Sequence, residues 1–447
     1  MNLNDSERIA GVLAAQGMSS TDDLENADVI VLNTCCIREN ADNKFYGNLG
    51  NLKALKDQNP ALQIAVGGCL AQKDRETIVS RAPHVDVVFG THNVGRIGDL
   101  LGLAASSVSS IVEVLDAPDT SEPQAFHLPV MRESTFASWV TIQVGCDNSC
   151  AFCIVPSVRG GEVSRPIDDI ISEINILASS GITEVTLLGQ NVNSYGRDIT
   201  RRRPLFADLL HAVGQVDGIR RVRFTSPHPK DLRPETIEAM ATVPSVCEHL
   251  HLPLQSGSDR ILAAMHRGYT ASRYLDRLNA ARSMIPDLAV TTDIIVGFPG
   301  ESDEDFEKTL EVAAEAQYDS AYTFIFSPRP GTEAAQLQDK FVQSEVVSER
   351  FERLKVVIDR SGLAKHRDRV GRTEEILIEG PSKRNPDVFT GRTRQNKLVH
   401  FEPTPECKPG MYASAVINYG SPHFLRGEVD NLEIATRIRR RLPVLSG

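Results

Sequence analysis

Three cysteines stand in a C-x3-C-x2-C run, Cys146-Asp147-Asn148-Ser149-Cys150-Ala151-Phe152-Cys153. Thiolates are soft ligands, and iron–sulfur clusters are held by them. Small and polar spacers let three side chains of one loop converge on a point. A [4Fe-4S] cluster takes four ligands, so three cysteines leave one iron open to a small molecule. A structural zinc site needs a fourth Cys or His, and the next candidates, His228 and Cys247, lie far along the chain. A disulfide needs an oxidising compartment and leaves one thiol of the three over. Three unrelated core cysteines are the bland alternative. Against it, Phe152 is the one large apolar residue inside the run, and Gly145 and Pro156 flank it.

The 447 residues allow two or three domains. Charged residues at 24% and hydrophobic residues at 41% are ordinary for a soluble protein. No apolar run reaches transmembrane length, and the start, Met1-Asn2-Leu3-Asn4-Asp5-Ser6-Glu7, lacks the pattern of a signal peptide. Eight cysteines are too sparse for a disulfide scaffold. A cytoplasmic location, with no membrane, is expected. The net charge of -11 excludes a surface coated for nonspecific nucleic-acid binding but not a local basic patch.

Residues 5–17 carry apolar positions at helical spacing and end in Gly17. Strands are expected over 27–32, 63–66 and 85–89, with helices between them, which implies a parallel sheet covered on both faces. Sites in such sheets lie beyond the carboxyl ends of strands. Cys35 and Cys69 sit at two such ends; each alone is a plausible core cysteine, but the pair suggests an incomplete ligand set. Residues 98–130 lose periodicity and read as a linker holding a short strand at 111–114.

Strand–helix alternation resumes after the linker. Strands are expected over 138–144, 184–188, 221–225, 246–251, 289–296 and 320–326, with helices between them. Six alternations come close to a (β/α) barrel, whose active site lies at the carboxyl ends of its strands. Candidate cofactor-binding residues there are Glu162, Gln190, His251, Gln255, Gly297 and Glu301. Glu162 follows Gly160-Gly161 and is suited to accept from an amine. Gln190, His251 and Gln255 are polar where strands should open to a site, and Gly297 and Glu301 follow a hydrophobic strand. Arg159 and Arg165 are expected to add positive charge at the same mouth. Beyond Gly371, short strands over 374–379, 397–401, 411–417 and 423–427 suggest a small antiparallel β-barrel. Its Lys and Arg outnumber Asp and Glu by twelve to nine. Arg392, Arg394 and Lys397, and the run Arg437, Arg439, Arg440 and Arg441, read as phosphate-binding clusters or as solvated surface.

The cysteine run, with an aromatic before its last Cys, resembles the signature of the radical S-adenosylmethionine (SAM) enzymes. The resemblance implies that Cys146, Cys150 and Cys153 ligate a [4Fe-4S] cluster whose open iron chelates SAM, and that an electron from the cluster cleaves SAM to a 5'-deoxyadenosyl radical. The first region resembles the N-terminal domain of the methylthiotransferases of that superfamily. Met1-Asn2 followed by Asp5-Ser6-Glu7 matches the end of a family motif whose cysteine would lie two residues before Met1. Asn33-Thr34-Cys35 and Gly68-Cys69 match the family's other two ligands. Two [4Fe-4S] clusters are implied, the N-terminal one lacking a ligand in this sequence; a start codon assigned too late, or a shortened chain, is expected.

Thr141-Ile142-Gln143, the segment Leu188-Gly189-Gln190-Asn191-Val192-Asn193-Ser194-Tyr195-Gly196 and Thr225-Ser226-Pro227-His228-Pro229 are similar to the tRNA-modifying branch. That branch converts N6-isopentenyladenosine at position 37 to its 2-methylthio derivative. Gly391-Arg392-Thr393-Arg394-Gln395-Asn396-Lys397 resembles the TRAM domain, an RNA-binding barrel. The fold implied is α/β: an N-terminal parallel sheet domain (1–110), a radical SAM (β/α) barrel (126–366) and a TRAM barrel (370–435). The partners implied are a tRNA anticodon stem-loop and a reductase or flavodoxin-type electron donor, with a monomeric chain. The alternatives are a methylthiotransferase acting on an aspartate of a ribosomal protein, and a non-catalytic RNA-binding protein.

Overall fold

The computed structural model describes residues 1–34, 39–116, 126 and 128–433, with only the backbone over 39–43. The chain divides into two compact units. One contains Met1–Glu133, Gln143–Val163 and Ser327–Gln336; the other contains Ser134–Ile142, Ser164–Phe326 and the chain from Leu337 on.

In the first unit, strands Val29–Thr34, Gln63–Gly68, Val87–Phe89 and Ile111–Glu113 form a parallel sheet in chain order. Side chains alternate across a strand. Ile64, Val66 and Val88 therefore pack on one face with Leu49, Leu52, Leu70 and Ile78. Ala65, Val87 and Phe89 pack on the other with Ile9, Val12, Ile97 and Leu100. Both faces are buried, which explains strands that read as continuous apolar runs. The opening helix spans Asn2–Ala15. The short strand expected inside a linker is the fourth strand of the sheet, with Ile111 opposite Val87.

In the second unit, six parallel strands appear where alternation placed them: Ala137–Thr141, Glu184–Leu188, Arg221–Phe224, His249–His251, Ala289–Val296 and Ser320–Ile325. They pair in two sets of three. Val222 joins the sets, its N–H donating to the Ser245 oxygen at 2.7 Å and its oxygen accepting from the Cys247 N–H at 3.0 Å. Helices Ile167–Ser179, Phe206–Gly214, Pro234–Thr242, Ala271–Met284 and Asp303–Ala316 supply apolar faces to one continuous core. Ser302 and Asp305 form a capping box at the start of the last of these.

The C-terminal strands Thr373–Pro381, Phe389–Thr393, Leu398–Phe401, Tyr412–Gly420 and Leu425–Glu433 close into a barrel. The strand Phe389–Thr393 was not expected, because Phe-Thr-Gly-Arg-Thr lacks apolar alternation. Arg392 thus lies on a strand rather than between two. Nor is the barrel antiparallel throughout: Leu398–Phe401 runs parallel to Leu425–Glu433. An odd number of strands cannot close with every neighbour antiparallel, so one parallel pair is required.

The reading of Arg392, Arg394 and Lys397 as an open phosphate cluster is corrected by their contacts. Lys397, 3% exposed in its side chain, lies 2.5 Å from Asp319. Arg394 binds Glu248 at 2.7 Å and donates to the Pro244 and Val246 oxygens. Arg392 is paired with Glu379 at 2.8 Å. Conversely, the fully buried Arg221 reaches from the strand Arg221–Phe224 to the Glu375 carboxylate at 2.7 Å and the Arg392 oxygen at 2.8 Å. Arg223 donates to the oxygens of Thr393 and Arg394. These groups fasten the small barrel to the sheet. The run Arg437 to Arg441 lies outside the described residues. Among the described residues, no helix is long and apolar enough to cross a membrane.

Candidate functional site

The cysteine loop turns on glycine. Gly145 has φ +80°, and a Cβ there would stand 1.9 Å from the Gly161 oxygen. The Cys146 N–H closes the neck of the loop on the Gly160 oxygen at 3.1 Å, and the Cys153 N–H turns back on the Cys150 oxygen at 3.0 Å. Asp147 accepts the Glu162 N–H at 2.9 Å. All three thiols are unoxidised and half-buried. Burial pushes the Cys146 thiol up; hydrogen bonding from the Asn148 backbone opposes this, and the charges of Glu162 and Cys150 add to it. Glu162 and Cys150 are thus within electrostatic reach of Cys146. Among the described residues, no three His, Cys, Asp or Glu side chains are gathered in a metal-holding group. The thiols share a loop rather than a common point. Their chemistry fits an iron–sulfur cluster: three soft donors on one loop, none of them in a disulfide.

The short helix Val155–Arg159 carries the loop back to the parallel sheet of the same unit. Ile154 and Val158 enter the core beside Ile64, Val66 and Leu70, and the Thr91 hydroxyl donates to the Val158 oxygen at 2.6 Å. Arg159, expected at an open mouth, is instead buried and held to Asp5 at 2.5 Å. Its guanidinium also lies beside the Cys69 thiol. Burial works against its charge, but Asp5 and Cys69 more than offset this and raise its pKa above the ordinary value. Cys69 is buried and opens the helix Cys69–Asp74 at the carboxyl end of Gln63–Gly68. Gly68, at φ +90°, sits so close to Asn33 and Thr34 that a Cβ would fall 2.4 Å from the Asn33 oxygen. Cys35 lies outside the described residues.

In the second unit, the strand ends collect several polar groups. The His251 ring lies 3.0 Å from the Thr291 hydroxyl and 3.4 Å from Asp293. Gln255, at φ +69°, bonds through its backbone to Asp293 and Ile295. His251, Gln255 and Asp293 are therefore brought together on neighbouring strands. Asn191 is fixed through its amide to Asp231 at 2.9 Å. The buried oxygens Gln190 Oε1, Asn191 Oδ1, Gln255 Oε1 and Glu301 Oε1 have no hydrogen-bond partner among the described residues. Buried polar atoms are ordinarily paired, so these acceptors suit a ligand rich in N–H and O–H donors, as SAM is.

Gly297 and Glu301 also have internal tasks. A Cβ at Gly297 would meet Val347 at 2.5 Å, and Glu301 binds the Gly297 N–H and Arg350, each at 2.9 Å. Arg165 is turned inward to Glu173 at 2.7 Å and the Thr141 oxygen at 2.8 Å. Neither Arg159 nor Arg165 supplies an open positive charge. His228 and Cys247 are core residues: burial draws the His228 ring down to about 2 and pushes the Cys247 thiol up. Asp293 and Asn191 were not singled out as site residues from sequence, although each stands in a segment that was.

Comparisons with known proteins agree with this geometry. The radical SAM superfamily matches residues 140–313, the uncharacterised protein family UPF0004 matches 1–90, and the TRAM domain matches 367–429. A radical SAM methyltransferase, TsrM from Kitasatospora setae, solved with tryptophan and a SAM analogue, shares the fold. Its TM-score is 0.56 at 12% identity, over 75% of this chain and 72% of that one. The tRNA-2-methylthio-N(6)-dimethylallyladenosine synthase of Salinispora arenicola is 49% identical over 439 residues, covering 97% of this chain and 86% of the relative. That of Mycolicibacterium smegmatis is 48% identical over 442 residues, with the same coverage. With identity this high along nearly the whole chain, this protein belongs to the tRNA-2-methylthio-N(6)-dimethylallyladenosine synthase family of radical SAM enzymes.

Proposed function

We propose that this chain is a methylthiotransferase converting N6-isopentenyladenosine at position 37 of tRNA to its 2-methylthio derivative. The observation that carries the reading is the match to synthases of that name along 97% of the chain. The three cysteines of the loop, none of them in a disulfide, and the match to a TRAM domain support it. The second reading, a ribosomal-protein methylthiotransferase, has no such support.

Cys146, Cys150 and Cys153 would hold a [4Fe-4S] cluster, and Cys35 and Cys69 would contribute to a second, sulfur-supplying one. When bound, the central cluster and SAM supply the electron, the hydrogen-abstracting group and the methyl donor. The protein's own part is placement. Gly145 and the Cys146–Gly160 bond shape the loop. Gln190, Asn191 and Gln255 would offer unpaired oxygens to the donor groups of SAM. Arg159 anchors the helix that follows the loop to Asp5 and stands beside Cys69. An electron donor of the reductase or flavodoxin type, a monomeric chain and a cytoplasmic location complete the reading.

The test is Cys150→Ala. It should lose about four irons per chain, form no 5'-deoxyadenosine, and leave tRNA without the 2-methylthio nucleoside by mass analysis. Product formed by the variant would overturn the mechanism. A wild-type product found on protein rather than tRNA would assign the other branch.

A further inference from the structure

We propose that the outer face of the small barrel around Arg426 is a stacking site for an unpaired base of the RNA substrate. The inference rests on the tRNA reading above. It moves RNA recognition away from the Gly391–Lys397 segment, whose cations are committed to carboxylates of the chain itself.

Three strands bring the site together. Arg426 lies opposite His400 on the parallel side and opposite Tyr419 on the antiparallel side. Phe424, two residues before Arg426, completes the group. Its ring centroid is 5.0 Å from that of His400, edge to face, and 6.4 Å from that of Tyr419. The Arg426 guanidinium carbon stands 5.5 Å from the Tyr419 ring and 5.8 Å from the Phe424 ring. Val399 and Leu425 fill the barrel core, so their neighbours His400 and Arg426 face outward, and an irregularity between Ile417 and Tyr419 turns Tyr419 to the same side. Tyr419 is 50% exposed, so its ring is accessible.

The platform is rigid. Ser421 Oγ accepts the Phe424 N–H at 3.0 Å, and the Ser421 N–H donates to the Phe424 oxygen at 2.9 Å. Gly420 packs against the backbone of His366 and Arg367, at the basic end of the helix Ser344–Arg367. Burial and the nearby Arg426 lower the pKa of His400. Arg426 has no carboxylate partner among the described residues, in contrast to Arg392 and Arg394. An exposed tyrosine and two half-buried rings beside a guanidinium with no carboxylate partner match a nucleobase and its phosphate. Stacking uses the π-face that every base has, and the cation meets the backbone. The match to a TRAM domain makes RNA, rather than a peptide, the partner argued for.

The test is equilibrium binding of isopentenylated tRNA to the full chain across a series of KCl concentrations. Tyr419→Ala should weaken binding about tenfold, while Tyr419→Phe, which keeps the ring, should bind as wild type. Arg426→Ala should weaken binding and reduce the slope of log affinity against log salt by about one. Ultraviolet irradiation should attach a nucleotide to Tyr419 or Phe424. Circular dichroism confirms that each variant is folded. Unchanged affinity in both alanine variants, or an unchanged salt slope with Arg426→Ala, overturns the site while leaving tRNA as substrate. Loss of binding in Tyr419→Phe equal to that in the alanine variant overturns stacking. Wild-type protein that neither binds nor modifies tRNA defeats the underlying reading instead.

Discussion

At the scale of the residue, the most consequential group is Arg159. Its side chain is 6% exposed and that of its partner Asp5 is 14% exposed. Breaking a buried pair leaves an uncompensated charge, at a cost of about 3–5 kcal/mol. Removing the carboxylate leaves the better-buried member alone. Removing the guanidinium leaves a carboxylate with more access to water. Asp5→Asn should therefore destabilise the chain more than Arg159→Met, as measured by urea unfolding. Equal losses would show that the Arg159–Cys69 contact carries as much weight as the ion pair. The sequence showed that Arg159 follows the cysteine loop, but not that it turns inward. Asp5 is more than 150 residues away, and no local pattern encodes a contact of that range.

At the scale of the element, the loop depends on Gly145. A side chain there faces both a left-handed φ of +80° and a backbone oxygen at 1.9 Å. The conformation alone costs about 1–2 kcal/mol for a non-glycine residue, and the clash adds to it. Gly145→Ala should reduce iron bound per chain and lower the melting temperature, and chemical reconstitution should restore iron only in part. The cysteine spacing and the flanking glycine were legible in the sequence because chemistry and backbone freedom are local properties. The strands of the second unit were legible for the same reason: period-two and period-3.6 patterns alternate from residue 138 to 326. The strand Phe389–Thr393 was not, because Gly391 and Arg392 interrupt its apolar pattern and its pairing comes from barrel closure.

At the scale of the whole molecule, buried polar groups make stability depend on pH. Burial, reinforced by Lys397, lowers the His366 pKa to about 4 from its usual 6.5. A group with a depressed folded pKa contributes fully above the unfolded value, and the contribution is lost as pH falls through the folded one. Between pH 6.5 and about 4 the unfolded state takes up a proton that the folded state refuses. The loss is on the order of 3 kcal/mol for this residue. Unfolding free energy should fall steadily over that window, and His366→Phe should flatten the slope. A slope unchanged in the variant would assign the acid sensitivity to other groups, His228 first, since its pKa lies lower still.

The sequence by itself determined the spacing of soft donors in the loop and the order of strands and helices. Each of these follows from near neighbours along the chain. Tertiary structure decided where the charges go. Lys397 meets Asp319, Arg394 meets Glu248 and Arg221 meets Glu375. Arg394 and Lys397 read as phosphate-binding or solvated groups in sequence because a charge is ordinarily solvated. Lys397 and Arg221 are buried, and Arg394 half-buried, because carboxylates and carbonyl oxygens from distant segments satisfy them, and a buried charge is tolerated only on that condition. Only the closed barrel sets Tyr419, Phe424 and His400 around Arg426. Three strands must first pair in register before those rings can meet.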